Sequence, residues 1–304
     1  MTEMRIVFLG TGGGMPSRNR GLPSIAVKTS GTVILMDCGE GTQRQFISSG
    51  IGFKKEFHIF ITHHHGDHVL GLPGLLFTMA MSGRVDPVWI YGPGGTGELL
   101  ERLMHPRMGR IPFKYFVREM KTGDSVRIKN LTVGCTSSDH TQEVLAYYIQ
   151  EDSRPGKMRE DFLDSLGVPR GPLWGRLQRG KPIIYGGRTI TPEEAVGPPR
   201  RGRRIVYTGD TRPCENIVEI AREADVLIHD ATFDNSMRDE ANIEGHSTAM
   251  QAAEIASKAN VSLLCLFHIS PRYNNPETLL LEARTIFPNS IVAEDLMDIR
   301  VPYR

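Results

Sequence analysis

Histidine and aspartate, two residue types that bind metal ions, crowd into residues 61–68, whose sequence is ITHHHGDH. An apolar run precedes them directly, so they leave the end of a predicted strand together. The spacing of two residues can direct His63 and His65 at one ion, while Asp67 and His68 can turn toward a second ion beside it. Neutral imidazoles and carboxylates suit Zn²⁺ or Mn²⁺. The segment therefore predicts a metal site, with a solvated histidine cluster as the alternative.

Further metal donors follow other predicted strands. His140, Asp210 and His268 each stand just beyond a short apolar run. Strand ends in α/β folds are where functional sites gather, because loops there converge from a rigid scaffold. Each residue alone has an alternative role: either histidine could be a hydrogen-bonded buried side chain, and the aspartate could cap a turn. Their joint placement favours one convergent metal centre.

This donor pattern resembles the ligand set of the metallo-β-lactamase superfamily, and the resemblance covers nearly the whole chain. It implies an α/β protein built as a four-layer αβ/βα sandwich that holds two metal ions, zinc or alternatively manganese. The implied ligands of one ion are His63, His65 and His140. Those of the other ion are Asp67, His68 and His268, and the implied bridge between the two ions is Asp210.

Such a metal pair suits the hydrolysis of phosphodiesters. Two divalent cations about 3.5–4 Å apart hold a hydroxide between them and stabilise both the attacking and the leaving oxygen of an in-line displacement. The leaving alkoxide also needs a proton, so an acid outside the ligand set is expected. His246 is the candidate, because it precedes a helix for which Ser247 or Thr248 is a suitable N-cap. Its alternative role is to fix the start of that helix.

A carboxylate that could support this acid ends another predicted strand at Asp230. A carboxylate behind an imidazole orients the ring and raises its pKa, which makes a proton donor near neutral pH. Residues 229–232 (HDAT) and 246–248 (HST) resemble two signatures of the ribonuclease Z family, HEAT and HST. Asp230 stands where the family has a glutamate, so its carboxylate is one methylene shorter. Residues 37–43 (DCGEGTQ) also resemble that family's early strand-to-helix turn.

The resemblance to ribonuclease Z implies a zinc-dependent endoribonuclease that removes the 3′ trailer from precursor tRNA. It implies a 3′-hydroxyl on the tRNA and a 5′-phosphate on the trailer, with Asp67 accepting the proton of the attacking water and His246 donating one to the leaving group. Two other hypotheses stay open. One is a small-molecule phosphodiesterase or a thioester or lactone hydrolase on the same fold, and the other is a non-catalytic RNA-binding protein.

Two basic segments are candidates for contact with RNA. Residues 10–14 are glycine-rich but lack the Lys-Ser/Thr of a phosphate-binding loop, and they lead into residues 16–21 (PSRNRG), which resemble a family loop near the acceptor end of the RNA. Residues 151–204 hold twelve Lys and Arg against seven Asp and Glu, a net charge of +5 in a chain whose total is +1. We interpret them as an arm inserted into a single domain of residues 1–304. They resemble the flexible tRNA-binding arm of the family, and a solvated insertion is the alternative. The RNA-contacting residues predicted in the two segments are Arg18, Arg20, Arg170, Arg176, Arg179 and Lys181.

Composition excludes several other classes of protein. The chain has 304 residues, of which 39% are hydrophobic and 23% charged, as in ordinary globular proteins rather than disordered ones. The apolar stretches fall far short of the ~20 residues needed to cross a bilayer, and the N-terminus lacks a signal-peptide pattern. Four scattered cysteines without a C-x-x-C pair suit a reducing compartment. We expect a cytoplasmic protein without membrane contact, and the family resemblance implies a homodimer.

The elements that must position these residues follow from the hydrophobic pattern. Short β-branched or apolar runs alternate with amphipathic segments, which favours sheets covered by helices. Strands are predicted at residues 4–9, 24–27, 33–36, 58–61, 87–91, 131–135, 145–150, 204–207, 226–229, 263–267 and 290–294. Helices are predicted at residues 43–49, 96–104, 215–223, 248–258 and 276–286, with one short helix, 159–166, in the arm.

Overall fold

The computed structural model describes residues 3–29, 31–53, 56–105, 107 and 109–303. The chain divides into two compact units. The first unit runs to Ile149 and resumes at Arg204, and the second is Gln150–Arg203. Within the described residues, no helix is both long enough and apolar enough to cross a membrane.

The first unit is built on two mixed sheets, each of seven strands within the part of the chain that the structure describes. In spatial order the strands of the first sheet are β16 (Asp298–Arg300), β1 (Arg5–Gly10), β2 (Ser24–Thr29), β3 (Thr32–Met36), β4 (Glu56–Phe60), β5 (Val88–Gly92) and β6 (Tyr115–Glu119). β1, β2 and β3 are antiparallel, and β3 to β6 are parallel. The carboxyl ends of these parallel strands therefore lie at one edge of the sheet.

In spatial order the strands of the second sheet are β15 (Ser290–Val292), β14 (Leu264–Phe267), β13 (Val226–Asp230), β12 (Arg204–Tyr207), β9 (Leu145–Glu151), β8 (Leu131–Ser137) and β7 (Ser125–Ile128). This sheet also has a parallel half, formed by β12 to β15, and an antiparallel hairpin, β7 with β8, at its far edge. Its central strands are apolar on both faces, as expected for a sheet that is covered on both sides.

Helices cover the outer face of each sheet, and a third core lies between the sheets. Phe60, Tyr147 and Phe267 belong to the core between the sheets, Leu76 to the core under the helices of the first sheet, and Ile255 to that of the second. The order helix, sheet, sheet, helix confirms the predicted four-layer αβ/βα sandwich. The helices of this unit are α1 (Thr42–Ser48), α2 (Gly66–Val69), α3 (Leu72–Met81), α4 (Thr96–Leu103), α8 (Glu215–Ala221), α9 (Arg238–Glu244), α10 (Ala249–Lys258) and α11 (Glu277–Ile286).

Most predicted strands and helices have a counterpart in the structure, but the sequence did not predict six elements of this unit. They are α2, α3, α9, β6, β7 and β16. α3 is apolar on nearly every face, so it shows no helical periodicity of hydrophobic residues. α9 is mostly polar and buries only Ala241, so it also shows no helical periodicity of hydrophobic residues. β6 and β7 are edge strands, whose exposed side chains give a weak apolar pattern.

The second unit contains more regular structure than the single helix predicted for it. Its elements enclose a small apolar core that includes Leu163, Trp174 and Leu177. Gly186 and Gly187, both at positive φ, form the two-residue turn of its hairpin, a conformation that glycine adopts without strain. The elements are α5 (Glu160–Ser165), α6 (Pro172–Gln178), β10 (Ile183–Tyr185), β11 (Arg188–Ile190) and α7 (Pro192–Ala195).

Candidate active site

Segments that follow strands bring all seven predicted metal ligands together in the first unit, and the short helix α2 carries two of them, Asp67 and His68. In the first group, His63 Nε2 lies 3.0 Å from His65 Nδ1, which lies 3.4 Å from His140 Nε2. The Oδ2 atom of Asp210 is 3.5 Å from His63 Nε2. Four donor atoms, one from each of these residues, thus lie within 4.8 Å of one another.

The second group shares Asp210 with the first. The other carboxylate oxygen of Asp210, Oδ1, lies 3.4 Å from Nε2 of His68 and 3.4 Å from Nε2 of His268. The Oδ2 atom of Asp67 lies 3.6 Å from His68 Nε2 and 3.4 Å from His268 Nε2. Asp210 therefore turns one oxygen toward each group, which is the geometry required of a bridging ligand.

The hydrogen bonds of the histidine rings indicate that these donor atoms fit a cation. His140 Nδ1 donates to the carbonyl of Gly245 at 2.7 Å, and His68 Nδ1 donates to Asp37 Oδ2 at 2.7 Å. Burial lowers the pKa of His140, and this neutral ring, held through Nδ1, presents a bare Nε2 lone pair to the donor group. Among the described residues, His68 Nε2 and Asp210 Oδ1 are buried without a hydrogen-bond partner. Lone pairs gathered so closely are stable only around positive charge, so the donor set fits divalent metal.

The charges of the site agree with this reading. Burial would raise the pKa of the Asp210 carboxyl, but His268 and His68 hold it well below its usual range. Burial also opposes ionisation of Asp67, and its contacts with the same two histidines lower the pKa of that carboxyl. For the His63 imidazole, by contrast, burial disfavours the charged form and lowers the pKa well below its ordinary value. The site therefore offers ionised carboxylates and at least one neutral imidazole, which are the ligand forms that metals need.

Asp37, which was not predicted from the sequence, also contacts the candidate site. It lies directly after β3, fully buried, with φ of 56°. Its carboxylate accepts from the backbone N–H of Thr62 at 2.7 Å, from His68 Nδ1 at 2.7 Å and from the Tyr207 hydroxyl at 2.8 Å. It thus orients His68 from behind. The available signal was its place, immediately after an apolar strand and within a turn already noted for its family resemblance.

The glycine-rich residues 10–14 also serve this site. The Gly14 N–H donates to Asp67 Oδ2 at 2.9 Å. A Cβ atom at Gly13 would lie 2.4 Å from the His268 ring. The run of glycines is therefore required by a close approach of backbone to the donor groups, rather than by a bound nucleotide.

His246 and Asp230 form a close pair beside the two groups. His246 Nδ1 lies 2.7 Å from Asp230 Oδ2, so the shorter aspartate does reach the imidazole. The buried carboxylate also accepts from the N–H groups of Thr211 and Thr232, both at 3.0 Å. His246 stands between α9 and the capping box in which the Thr248 side chain begins α10. The ligand atoms of this pair lie within 4.8 Å of those of Asp210 and His268.

The carboxylate keeps the imidazole protonated. Burial alone would lower the pKa of His246, but the charge and hydrogen bond of Asp230 raise it to about 9. With Nδ1–H donated to Asp230, the proton on Nε2 is the one available for transfer. His246 therefore has the form of a general acid at neutral pH.

Asp230→Asn should move the alkaline limb of the pH–rate profile to lower pH. A raised pKa keeps His246 in its acid form below about pH 9, and activity falls as pH rises through that value. Without the carboxylate charge, burial should bring the pKa of His246 from about 9 to the ordinary value near 6.5 or lower, so the alkaline limb should move by more than about two pH units. Single-turnover rates measured across pH on the metal-loaded variant and wild type test this. An unmoved alkaline limb would show that another group supplies the proton.

The predicted RNA-contacting residues differ in how accessible they are. Arg20 is only 9% exposed, and its Nη1 donates to Thr11 Oγ1 and to the carbonyl of Ala293, both at 2.6 Å. The fold itself therefore uses this guanidinium group. Arg18 is exposed and lines a cavity of about 390 Å³ together with Arg44.

In the second unit, Arg170 is exposed but not without partners. Its Nη2 lies 2.6 Å from Glu160 Oε2, and its guanidinium lies over the Trp174 ring at 5.1 Å. The other three predicted contacts of this unit are exposed. They are Arg176, Arg179 and Lys181.

Comparison with known proteins agrees with the fold. Residues 4–151 match a family model described as anti-Pycsar protein Apyc1, and residues 195–269 match the model of the beta-lactamase superfamily domain. The metallo-beta-lactamase fold protein YhfI from Bacillus subtilis superposes with a TM-score of 0.72 at 18% identity, covering 99% of this chain and 100% of that one. This likeness shows that the chain has the metallo-β-lactamase fold.

Two further relatives are similar in sequence, and one of them has also been compared in fold. The short form of human tRNase Z has a TM-score of 0.72 and 28% identity, with 98% of this chain and 100% of that chain covered. A protein of Methanosarcina acetivorans named ribonuclease Z is 44% identical over an alignment of 304 positions that covers 99% of this chain and 99% of that one. At this identity over the full length, the chain belongs to the ribonuclease Z family.

Proposed function

We propose that this protein is a metal-dependent endoribonuclease that removes the 3′ trailer from precursor tRNA, leaving a 3′-hydroxyl on the tRNA and a 5′-phosphate on the trailer. The observation that carries the proposal is the His246–Asp230 pair, a proton donor held 2.7 Å from its carboxylate at the border of a cluster of metal donors. The names of the full-length relatives support the choice of RNA as substrate.

Two divalent ions, zinc or alternatively manganese, would be held by the two donor groups, with Asp210 between them. When bound, they would supply Lewis-acid stabilisation of the phosphate charge and activate a water molecule for attack. Asp67 would accept the proton of that water, with its Oδ2 oriented by the Gly14 N–H. His246 would donate its Nε2 proton to the departing 3′ oxygen of the tRNA. Asp230 would hold the ring in place through Nδ1.

A comparison of two substrates tests this function. The zinc-loaded protein should cleave an unprocessed tRNA transcript with a kcat/KM far above that for a small chromogenic phosphodiester. A preference for the small phosphodiester would favour a small-molecule phosphodiesterase. Tight binding of the transcript with no cleavage would favour a non-catalytic RNA-binding protein.

We also propose that the second unit is the tRNA-binding arm of the enzyme. Residues 151–204 carry a net charge of +5 and none of the metal donors, so binding and chemistry should be separable. Arg176, Arg179 and Lys181 lie exposed within 176–181, and no ion pair involves them among the residues that the structure describes. Phosphate contacts from such side chains strengthen RNA binding in a salt-dependent way.

Replacing Arg176, Arg179 and Lys181 together by alanine should raise KM for precursor tRNA and leave hydrolysis of a small phosphodiester unchanged. Each lost phosphate contact should reduce the slope of log affinity against log salt by about one. Arg188→Ala is the matched control, because Arg188 is in the same unit but lies 2.8 Å from Glu194. Binding curves at several salt concentrations measure the effect. An unchanged KM and an unchanged salt dependence of precursor tRNA binding would show that the arm is a solvated insertion.

We propose finally that the enzyme is a cytoplasmic homodimer. The family resemblance supports the dimer, and four cysteines without a disulfide suit a reducing compartment. Light scattering on the purified protein should give twice the mass of one chain, and a single-chain mass would contradict the dimer.

A further inference from the structure

Two buried threonines occupy matching positions in the two halves of the first unit. Thr62 follows β4 in the first sheet, and Thr232 follows β13 in the second; their exposed fractions are 0% and 6%. Each hydroxyl lies between a buried carboxylate and the Nδ1 atom of a predicted metal ligand. The contacts of the two threonines determine which way their protons point.

The hydroxyl of Thr62 touches Asp37 and His63. Its Oγ1 lies 2.9 Å from Asp37 Oδ2 and 2.9 Å from His63 Nδ1. A carboxylate can only accept, so the single hydroxyl proton goes to Asp37 and an oxygen lone pair faces His63. The ring must therefore carry its proton on Nδ1, which leaves Nε2 bare toward His65 and Asp210.

The hydroxyl of Thr232 repeats this arrangement with other residues. Its Oγ1 lies 2.7 Å from Asp230 Oδ1 and 2.8 Å from His268 Nδ1. By the same reasoning, His268 carries its proton on Nδ1, and its bare Nε2 faces Asp67 and Asp210. Asp230 thus acts in two directions, on His246 through Oδ2 and on His268 through the threonine.

We propose that Thr62 and Thr232 are positioning residues that each fix one ligand histidine, His63 or His268, in the tautomer whose Nε2 can bind metal. One threonine serves each of the two metal positions. The inference rests on the metal site of the proposed function and deepens it, because it assigns the outer contacts that orient the ligands. Such contacts typically change metal affinity by about 10- to 100-fold.

The test uses valine, which keeps the shape of threonine without its hydroxyl, and serine, which keeps the hydroxyl. Thr62→Val and Thr232→Val should each weaken one of two bound zinc ions by about 10- to 100-fold in competition with a chelating dye. The serine variants should remain within a few-fold of wild type. Thr96→Val is the control, since Thr96 Oγ1 makes the same kind of contact, 2.9 Å, with His64 Nε2, and His64 is outside both groups. Thermal unfolding of the metal-free variants checks that they fold.

A second readout needs neither a variant nor a bound metal. Histidine ¹⁵N spectra of the metal-free wild-type protein should show that the neutral rings of His63 and His268 carry their proton on Nδ1. Protons on Nε2, or unchanged zinc affinity in both valine variants, or equal losses for serine and valine, would overturn the proposal. None of these measurements uses RNA. Failure to cleave precursor tRNA would contradict the proposed function and leave this inference standing.

Discussion

Asp210→Ala should cost the protein both metals and nearly all of its activity. Asp210 directs one oxygen at each donor group, 3.5 Å from His63 Nε2 and 3.4 Å from His68 and His268 Nε2. Its loss removes a negative charge from a buried site that gathers bare donor atoms. Since loss of an outer contact alone costs about 10- to 100-fold, loss of this ligand should lower turnover on the order of 10³-fold or more. Elemental analysis and precursor tRNA cleavage measure the two effects.

The control for this substitution is Asp139→Ala. Asp139 lies one residue before the predicted ligand His140, but it is half exposed and pairs with Arg212 at 3.0 Å. The control should keep both metals and near-normal turnover. Two zinc ions with normal turnover in Asp210→Ala would contradict the assignment of the bridge.

His246→Ala should slow the chemical step by roughly 10²- to 10⁴-fold while metal content and RNA affinity stay nearly unchanged. The 3′ oxygen that leaves is a poor leaving group without a proton, and His246 is the imidazole that Asp230 keeps charged. A chromogenic phosphodiester with a nitrophenolate leaving group needs no such proton and should lose much less. Single-turnover rates on the two substrates measure the difference.

His64→Ala is the matched control, because His64 lies among the predicted ligands that follow β4 but its Nε2 contacts Thr96 instead of the donor groups. If His246→Ala cleaves precursor tRNA within a few-fold of wild type, the acid is another group. Equal losses on both substrates would mean that His246 acts through the metal site rather than as a proton donor.

The sequence pattern was most informative where chemistry and local spacing coincide. Residues 63–68 are neighbours along the chain, and the other predicted ligands each follow an apolar strand. Both features can therefore be recognised in the sequence without the structure. The same holds for His246, which stands beside a helix start that the Thr248 capping box confirms. The fold prediction succeeded for a related reason, because the central strands are buried on both faces and read as apolar runs.

Residues whose role depends on contacts across the fold were not predicted. Thr62 and Thr232 are ordinary threonines in sequence, and only the meeting of a strand end with a distant carboxylate or ring gives them a role. Arg20 shows the opposite case: its charge suggested RNA contact, whereas the structure buries it against Thr11 and Ala293. α3 was missed because an almost wholly apolar helix lacks the alternation that marks a helical face.

The chemistry of the two cleaved ends of a precursor tRNA tests the central claim most directly. Water attack assisted by the metal donors, with His246 protonating the departing oxygen, breaks the bond between phosphorus and the 3′ oxygen. We therefore expect a 3′-hydroxyl on the tRNA and a 5′-phosphate on the trailer, formed with metal present and not after chelation. A 2′,3′-cyclic phosphate on the tRNA, which arises when the neighbouring 2′-hydroxyl attacks, or cleavage that survives chelation, would contradict the account.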